Sequence, residues 1–249
     1  MSQQGRAPKT RTALYCGKEG RTLLQETEKQ FQKSESFLVG ALLAAAGGLL
    51  DAYTYLSRGG VFANAETGNM VLFGICLTQG QWGKAVGYLF PILAFALGVL
   101  AAEFIRERHR SGPKFHWRHT VLLAEIAVVC AVAFLPRGEW DSLANTLVAF
   151  VCALQVETFR KVRGNPFATT MCTGNLRSGT EAIYHGVTKG ERESVEKGLC
   201  YYGVIACFIA GAALGVLLTR LAPQRAVLGA GGLQLAAFGL MCREDGGRT

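Results

Sequence analysis

The stretch GGLLDAYTYLSRGGVFANAETGN, residues 47–69, decides how the fold is interpreted. An apolar run carries a carboxylate at Asp51, and Arg58-Gly59-Gly60 then interrupts it before the tripeptide Thr67-Gly68-Asn69. Paired glycines interrupt helices, and a threonine at a helix start accepts hydrogen bonds from amides that have no partner in the helix. The stretch therefore predicts a helix, a break, and a second, short helix that Thr67 caps.

The same order of features recurs 106 residues further along the chain. Glu157 follows an apolar run, Arg163-Gly164-Asn165-Pro166 interrupts it, and Thr173-Gly174-Asn175 repeats the tripeptide. A later tetrapeptide, Leu97-Gly98-Val99-Leu100, recurs at residues 214–217, where the offset is 117. A repeated order of features indicates an internal duplication. Each half is expected to contain one interrupted element, and Thr173 is expected to cap the second short helix.

Composition and charge place the chain in a membrane. Half of its 249 residues are apolar, 18% are charged and 31 are glycine. Soluble domains carry about 25% charged residues, whereas small residues let helices approach closely in a bilayer. The net charge is +8, but the basic residues lie between apolar runs, which is typical of membrane orientation. The lipid bilayer is therefore the expected partner, and nucleic acid is not.

Six apolar runs approach the ~20 residues that a spanning helix needs: Phe37–Leu56, Val86–Ile105, Thr120–Leu135, Ser142–Val156, Leu199–Thr219 and Ala226–Met241. Two more segments, Met70–Leu77 and Leu176–Val187, follow the two tripeptides and are brief or amphipathic. If these two do not span, 21 Lys/Arg residues fall on one side and five on the other. If they span, the repeats are parallel and the charge is almost even, so the positive-inside rule favours six spans.

The expected fold is an all-α, polytopic transmembrane bundle of about six spanning helices. These form two inverted three-helix repeats with two short broken or re-entrant helices. The expected parts are a basic cytosolic tail over 1–36, a first repeat over 37–136, a second repeat over 137–242 and a C-terminal tail over 243–249. Both termini would be cytoplasmic, and a short helix near residues 22–35 is a further expectation.

Inverted repeats would bring both interrupted elements to the middle of the membrane. Asp51 lies about 21 Å into its helix, inside a ~30 Å hydrocarbon layer, and an intramembrane carboxylate is a candidate functional group. Alternatives remain open: Asp51 could cap a helix end or pair with Arg58, Glu157 could pair with Arg160, and the tripeptides could be structural turns. The candidate residues for lining a substrate or ion site are Asp51, Asn64, Thr67, Gly68, Asn69, Glu125, Glu157, Thr173, Gly174 and Asn175.

Motifs of cofactor, metal and catalytic sites are missing from the sequence. The eight cysteines form no C-x-x-C pair, which argues against a zinc or redox centre. No nucleotide-binding loop, H-E-x-x-H or G-x-S-x-G element occurs. We therefore expect no cofactor, no metal and no catalytic residues, and an enzyme is the less favoured interpretation.

Three motifs resemble the YoaK family of bacterial membrane proteins. They are Gly47-Gly48-x-x-Asp51-Ala-Tyr-Thr-Tyr, Gly60-Val-Phe-Ala-Asn-Ala-x-Thr67-Gly-Asn69 and Thr173-Gly-Asn-Leu-Arg177. The resemblance covers residues 35–242 and implies a multi-pass protein of the bacterial inner membrane, without transferring any functional residue. The second break departs from the family's apolar Gly-Gly turn.

Three functions remain in view. The leading hypothesis is a small permease-like transporter, its substrate an unidentified small molecule or ion bound midway between the repeats. The alternatives are a non-catalytic membrane scaffold or sensor and an intramembrane enzyme acting on lipid. Whether the protein forms a homo-oligomer is left open.

Overall fold

A computed structural model describes residues 36–108, 114–162, 165–167 and 169–243. The predicted tail over 1–35 with its short helix, and residues 244–249, lie outside this range. The described part is all-helical apart from one minimal ladder. Its eight helices are α1 Phe37–Ser57, α2 Glu66–Thr78, α3 Trp82–Arg108, α4 Lys114–Val132, α5 Asp141–Thr158, α6 Cys172–Lys189, α7 Arg192–Leu221 and α8 Leu228–Arg243. The two strands, β1 Lys161–Val162 and β2 Asn165–Pro166, pair antiparallel.

Three of the described helices are long and apolar enough to cross a membrane: α1, α3 and α7. Helix α1 is mostly buried within the protein, whereas most of α3 and α7 is not. Large apolar side chains such as Leu100 and Phe104 on α3 and Leu217 on α7 are more than half exposed. An exposed apolar surface of this size indicates contact with an apolar partner such as a membrane. The chain is thus a membrane protein with α1 inside its bundle.

Helix α1 packs tightly against α7 because glycines remove side chains from the contact. A Cβ at Gly48 would overlap the carbonyl oxygen of Phe208, and one at Gly211 would overlap the carbonyl of Ala45. One turn later, a Cβ at Gly215 would lie 2.9 Å from the carbonyl oxygen of Leu49. The close approach at Gly211 and Gly215 follows the small-residue rule of membrane bundles.

The helix pairs fall into two matching sets. Helix α1 packs mainly on α7, and α5 packs mainly on α3. Helix α2 packs on α3, and α6 packs on α7. Helix α1 also packs on α8, and α5 also packs on α4. Helices α4 and α8 contact each other. These contacts are therefore related by matching α1–α4 in order with α5–α8.

The packing also corrects one correspondence between the halves. Gly98 of α3 would meet Phe150 and Ala153 of α5, whereas Gly211 of α7 would meet Ala45 of α1. Positions 150 and 153 match residues 44 and 47 at the 106-residue offset, so Gly98 occupies the place of Gly211. The tetrapeptide match at Gly215 is therefore one helical turn out of register. Sequence matching could not detect this, since small residues recur every four positions on both helices.

Both predicted breaks are present. Helix α1 ends at Ser57, and Gly59 and Gly60 follow with φ of 83° and 77°, a region that favours glycine because it has no Cβ. In the second half, α5 ends at Thr158 and the short ladder follows before α6 begins at Cys172.

The predicted threonine caps are wrong. Helices α2 and α6 begin one residue before Thr67 and Thr173, so both threonines lie within the first turn. The N-cap residues are Ala65 (φ −88°, ψ 64°) and Met171 (φ −90°, ψ 71°), and neither offers a side-chain cap. The backbone enters both short helices in nearly the same conformation.

Candidate functional site

The two breaks meet at one cavity of about 630 Å³. The first half contributes Asp51, Asn64, Glu66 and Thr67 to its lining, and the second contributes Thr170, Thr173 and Gly174. Its walls are largely apolar and come from α1, α3, α7 and the two breaks: Ala52, Tyr55, Leu56, Phe62, Phe95, Met171, Phe208, Ala212 and Val216. The volume lies within the range of small-molecule sites, about 300–1,000 Å³. Five residues named from the sequence therefore share one cavity: Asp51, Asn64, Thr67, Thr173 and Gly174.

Gly47 allows the breaks to converge. A Cβ at this position would lie 2.5 Å from Thr170 Cγ2 and 3.6 Å from Asn64 Nδ2. Asn64 Nδ2 donates a hydrogen bond to the Gly47 carbonyl oxygen at 3.2 Å. Asn64 and Thr170 are separated by the 106-residue offset, so equivalent positions of the two halves sit over the same turn of α1.

Asp51 holds the first break over the cavity. Its side chain is almost fully buried, and its Oδ1 accepts a hydrogen bond of 2.7 Å from the backbone N–H of Asn64. The alternative that Asp51 pairs with Arg58 is wrong, because the Arg58 guanidinium binds Asp141 at 3.0 Å. Asp51 thus lies in a cavity lining without a cationic partner among the described residues that line it.

Glu66 is a second carboxylate of the cavity, and sequence reasoning missed it. It is the first residue of α2, and its Oε2 accepts a hydrogen bond of 3.0 Å from Asn69 Nδ2. Its position inside the Asn64-Ala65-Glu66-Thr67 segment was a usable signal, since it is an acidic residue directly before the repeated tripeptide. In the second half Cys172 occupies the matching position, so the repeat itself did not draw attention to Glu66.

Three oxygen atoms of the lining side chains have no hydrogen-bond partner among the described residues. They are Asn64 Oδ1, Glu66 Oε1 and Thr170 Oγ1. The three residues are 8%, 9% and 7% exposed. A buried polar atom without a partner costs about 1–3 kcal/mol, and a rotation of these side chains toward the cavity would let a ligand or water donate hydrogen bonds to them.

Two further candidates are structural. Asn69 is fully buried; its Oδ1 accepts from the Phe62 amide and its Nδ2 donates to the Phe62 carbonyl, both at 2.9 Å. Gly68 faces the aromatic ring of Phe62, and a Cβ at position 68 would lie 3.0 Å from Phe62 Cδ2. Neither residue lines the cavity, and both fix the first break against the start of α2.

Glu157 and Asn175 line a smaller, second cavity of about 390 Å³. Met171 and Gly174 belong to the walls of both cavities. Glu157 forms an ion pair with Arg160, which also binds Glu103 at 3.0 Å. The expected pairing of Glu157 with Arg160 is confirmed, and the two equivalent carboxylates Asp51 and Glu157 lie in separate cavities.

Glu125 lies away from both cavities. It is fully buried between α4 and α8, where its Oε1 accepts a hydrogen bond of 2.7 Å from Gln234 Nε2. Glu125 therefore stabilises a helix contact in this structure and does not face the cavity.

Within the described residues no cluster of three His, Cys, Asp or Glu side chains is arranged to hold a metal ion.

Comparison with known proteins gives a family without an assigned activity. A family described as "Protein of unknown function (DUF1275)" matches residues 39–240. A relative from Bacillus subtilis (strain 168), the UPF0700 transmembrane protein YoaK, is 27% identical over 150 residues. That match covers 57% of this chain and 65% of the relative, slightly less than two thirds of its length. No solved structure matches the chain significantly.

Proposed function

This chain belongs to the DUF1275 family of proteins of unknown function, and we propose that it is a permease-like transporter of a small molecule. Its site would be the 630 Å³ cavity where the two breaks meet. The observation that carries the proposal is the convergence of equivalent segments, Asn64 from one half and Thr170 from the other, over Gly47. Discontinuous helices at a repeat interface are the usual way in which transporters build a binding site.

The proposed arrangement is two inverted repeats, residues 37–136 and 137–242, in the bacterial inner membrane with both termini cytoplasmic. The matching helix pairs support the duplication, and the lengths and charges of the two short helices support the inversion. Helix α2 has 13 residues and spans about 20 Å, too little for a ~30 Å hydrocarbon layer. Helix α6 carries Arg177, Glu181 and Lys189. Two helices of this kind are better suited to re-enter than to span, and irregular backbone at that depth must be buried in protein or line a water-filled cavity.

The two cavities suggest how access would alternate. In the proposed orientation the ion pair of Glu157 and Arg160 lies at the cytosolic end of α5, so the second cavity is the inner one. Met171 and Gly174 form the wall between the cavities. Met171 has a flexible, unbranched side chain and is 55% exposed. A small shift at the start of α6 would open the main cavity inward.

Flux measurements test the transport proposal. Purified protein in proteoliposomes would be assayed with radiolabelled amines, amino acids, sugars and organic acids, beside Asp51→Asn and Arg192→Ala. Arg192 is a suitable control because it is highly exposed and pairs with the exposed Glu196 on its own helix. We expect flux of at least one substrate class, a fall of tenfold or more in Asp51→Asn, and no change in Arg192→Ala. Equal flux in wild type and Asp51→Asn across the panel would contradict the proposal.

Labelling tests the inverted arrangement separately. In a cysteine-free background, Ser111→Cys places a thiol between α3 and α4, and Gly138→Cys places one between α4 and α5. The first position should react only with a membrane-permeant maleimide in intact cells, and the second also with an impermeant one. Reaction of position 111 with the impermeant reagent would overturn the arrangement.

A further inference from the structure

We propose that the main cavity binds a monovalent organic cation, such as a protonated amine with an apolar body. This inference names the substrate class of the proposed transporter and therefore rests on the proposed function. It is carried by three features of the cavity: its charge, its unpartnered oxygen atoms and its aromatic walls.

The charge of the lining is negative. Asp51 and Glu66 both line the cavity, and its described lining includes no Lys, Arg or His. The starts of α2 and α6 also face it through Glu66, Thr67, Cys172 and Thr173. Each helix start supplies roughly half a positive elementary charge. When both carboxyl groups are ionised, their charge and two such half-charges sum to about one negative charge, which a single cationic group would neutralise.

The unpartnered atoms need a hydrogen-bond donor. Asn64 Oδ1 and Glu66 Oε1 are acceptors only, and the Thr170 hydroxyl can accept as well as donate. All three side chains are more than nine-tenths buried and their oxygens lack a partner among the described residues. An ammonium group has up to three N–H donors. An anion would instead meet these oxygens and two carboxylates, so its binding is disfavoured.

The walls favour an organic cation over a metal ion. The rings of Tyr55 and Phe62 stack with their centroids 4.7 Å apart, and Phe95 and Phe208 contribute one ring from α3 and one from α7. Aromatic faces attract cations and also bury apolar groups. A Ca²⁺ or Mg²⁺ ion would need six or more oxygen ligands at short distance, and would leave most of a 630 Å³ cavity unfilled.

Equilibrium dialysis of the full-length protein in nanodiscs tests the inference with size-matched probes. The probes are phenethylammonium, the neutral 2-phenylethanol and the anionic phenylacetate, with tetraethylammonium and tetraphenylphosphonium as further cations. We expect saturable binding of at least one cation, and phenethylammonium should bind tenfold or more tighter than 2-phenylethanol or phenylacetate. Asp51→Asn and Glu66→Gln should each weaken it tenfold or more. Glu157→Gln, which changes the equivalent carboxylate outside this cavity, should stay within twofold.

The variants are chosen to keep the fold. Asparagine at position 51 retains an oxygen that can accept from the Asn64 amide, and glutamine at position 66 retains one for Asn69. If either variant elutes as aggregate, Thr170→Val tests the same oxygen cluster and should weaken cation binding at least threefold. Saturable binding of none of the three cations, tighter binding of phenylacetate, or equal losses in Asp51→Asn and Glu157→Gln would overturn the inference. Transport of a neutral or anionic substrate would overturn the cation inference and leave the proposed transport function standing. Cation binding without flux of any substrate would overturn the transport function and leave the cation site standing.

Discussion

The arginine of the first break, residues 58–65, is buried, whereas that of the second break, residues 159–171, is half exposed, although Phe159 and Phe167 of the second break are buried. Arg58 is fully buried, and its guanidinium donates to Tyr53 and Asp141. It also donates to three carbonyl oxygens at the end of α4, those of Val132, Leu135 and Pro136. In the second break, the side chain of Arg160 is 47% exposed and pairs with Glu157 and Glu103.

This difference shows how two copies of one element can take separate roles. A break with a buried, fully bonded cation cannot move without leaving several groups unpaired. The exposed ion pairs of Arg160 can rearrange at little cost. In the proposed transporter, the first break would hold the binding surface and the start of the second break would move during access. The predictions below test this division.

Loss of the buried arginine should have the largest effect. Arg58→Ala removes all five guanidinium bonds and leaves Asp141 and the α4 carbonyls without their donor, so we expect a loss of about 3–5 kcal/mol. In detergent micelles, the protein should aggregate or unfold at a markedly lower temperature. Arg160→Ala is the matched control, with an expected loss of about 0–1 kcal/mol. Similar melting temperatures for the two variants would contradict the contrast between the breaks.

The α1–α7 contact gives the next largest effect. Gly48→Ala places a methyl group against the carbonyl of Phe208, and backbone cannot move aside as a side chain can, so we expect a loss of about 1–3 kcal/mol. The second half holds Leu154 at the matching position. Gly232→Ala is the control, because its Cβ would meet nothing within 4 Å. It should stabilise α8 by up to about 1 kcal/mol, and a shift of the same sign in both variants would refute the close-packing explanation.

Removal of the Asn69 side chain should have an intermediate to small effect. Asn69→Ala leaves the Phe62 amide and carbonyl without their partner, which predicts a loss of about 1–3 kcal/mol. Thermal unfolding in micelles measures it. Thr78→Ala serves as control, since its exposed hydroxyl binds only the Ile75 carbonyl of its own helix, and should change stability by less than about 0.5 kcal/mol. An unchanged melting temperature in Asn69→Ala would show that the first break does not depend on this clamp.

The exposed ion pairs should contribute least. Glu157→Gln is expected to lower stability by less than about 1 kcal/mol, and the difference from wild type should shrink as salt rises because exposed charges are screened. Melting temperatures at 50 mM and 500 mM salt would measure this. A large loss that is insensitive to salt would mean that the second break is as firmly held as the first.

The sequence predicted the breaks well because they are local. Gly59 and Gly60 interrupt α1 through their backbone freedom, and both adopt positive φ. The short helices after the breaks were also predicted, although their starts were placed at Thr67 and Thr173 instead of one residue earlier. The error arose because the structure leaves both helix starts without a side-chain cap, so the usual capping signal did not apply.

Candidate residues were predicted less evenly, because a carboxylate in an apolar run has several uses. Asp51 lines the cavity, Glu125 binds Gln234 in a helix contact, and Glu157 pairs with Arg160 at an exposed edge. The three look alike in one dimension. Glu66 was missed since it lies in a polar segment where an acidic residue attracts no notice.

The sequence by itself determined the class of protein, the two breaks and the repeated order of features, because hydropathy, glycine freedom and duplication are properties of the chain. Only the tertiary structure decided that Asn64 and Thr170 meet over Gly47, that Asp51 shares a cavity with Glu66, and that Gly98 corresponds to Gly211. These depend on how helices far apart in sequence approach each other, and that approach is set by backbone contacts at glycines, which no local pattern specifies.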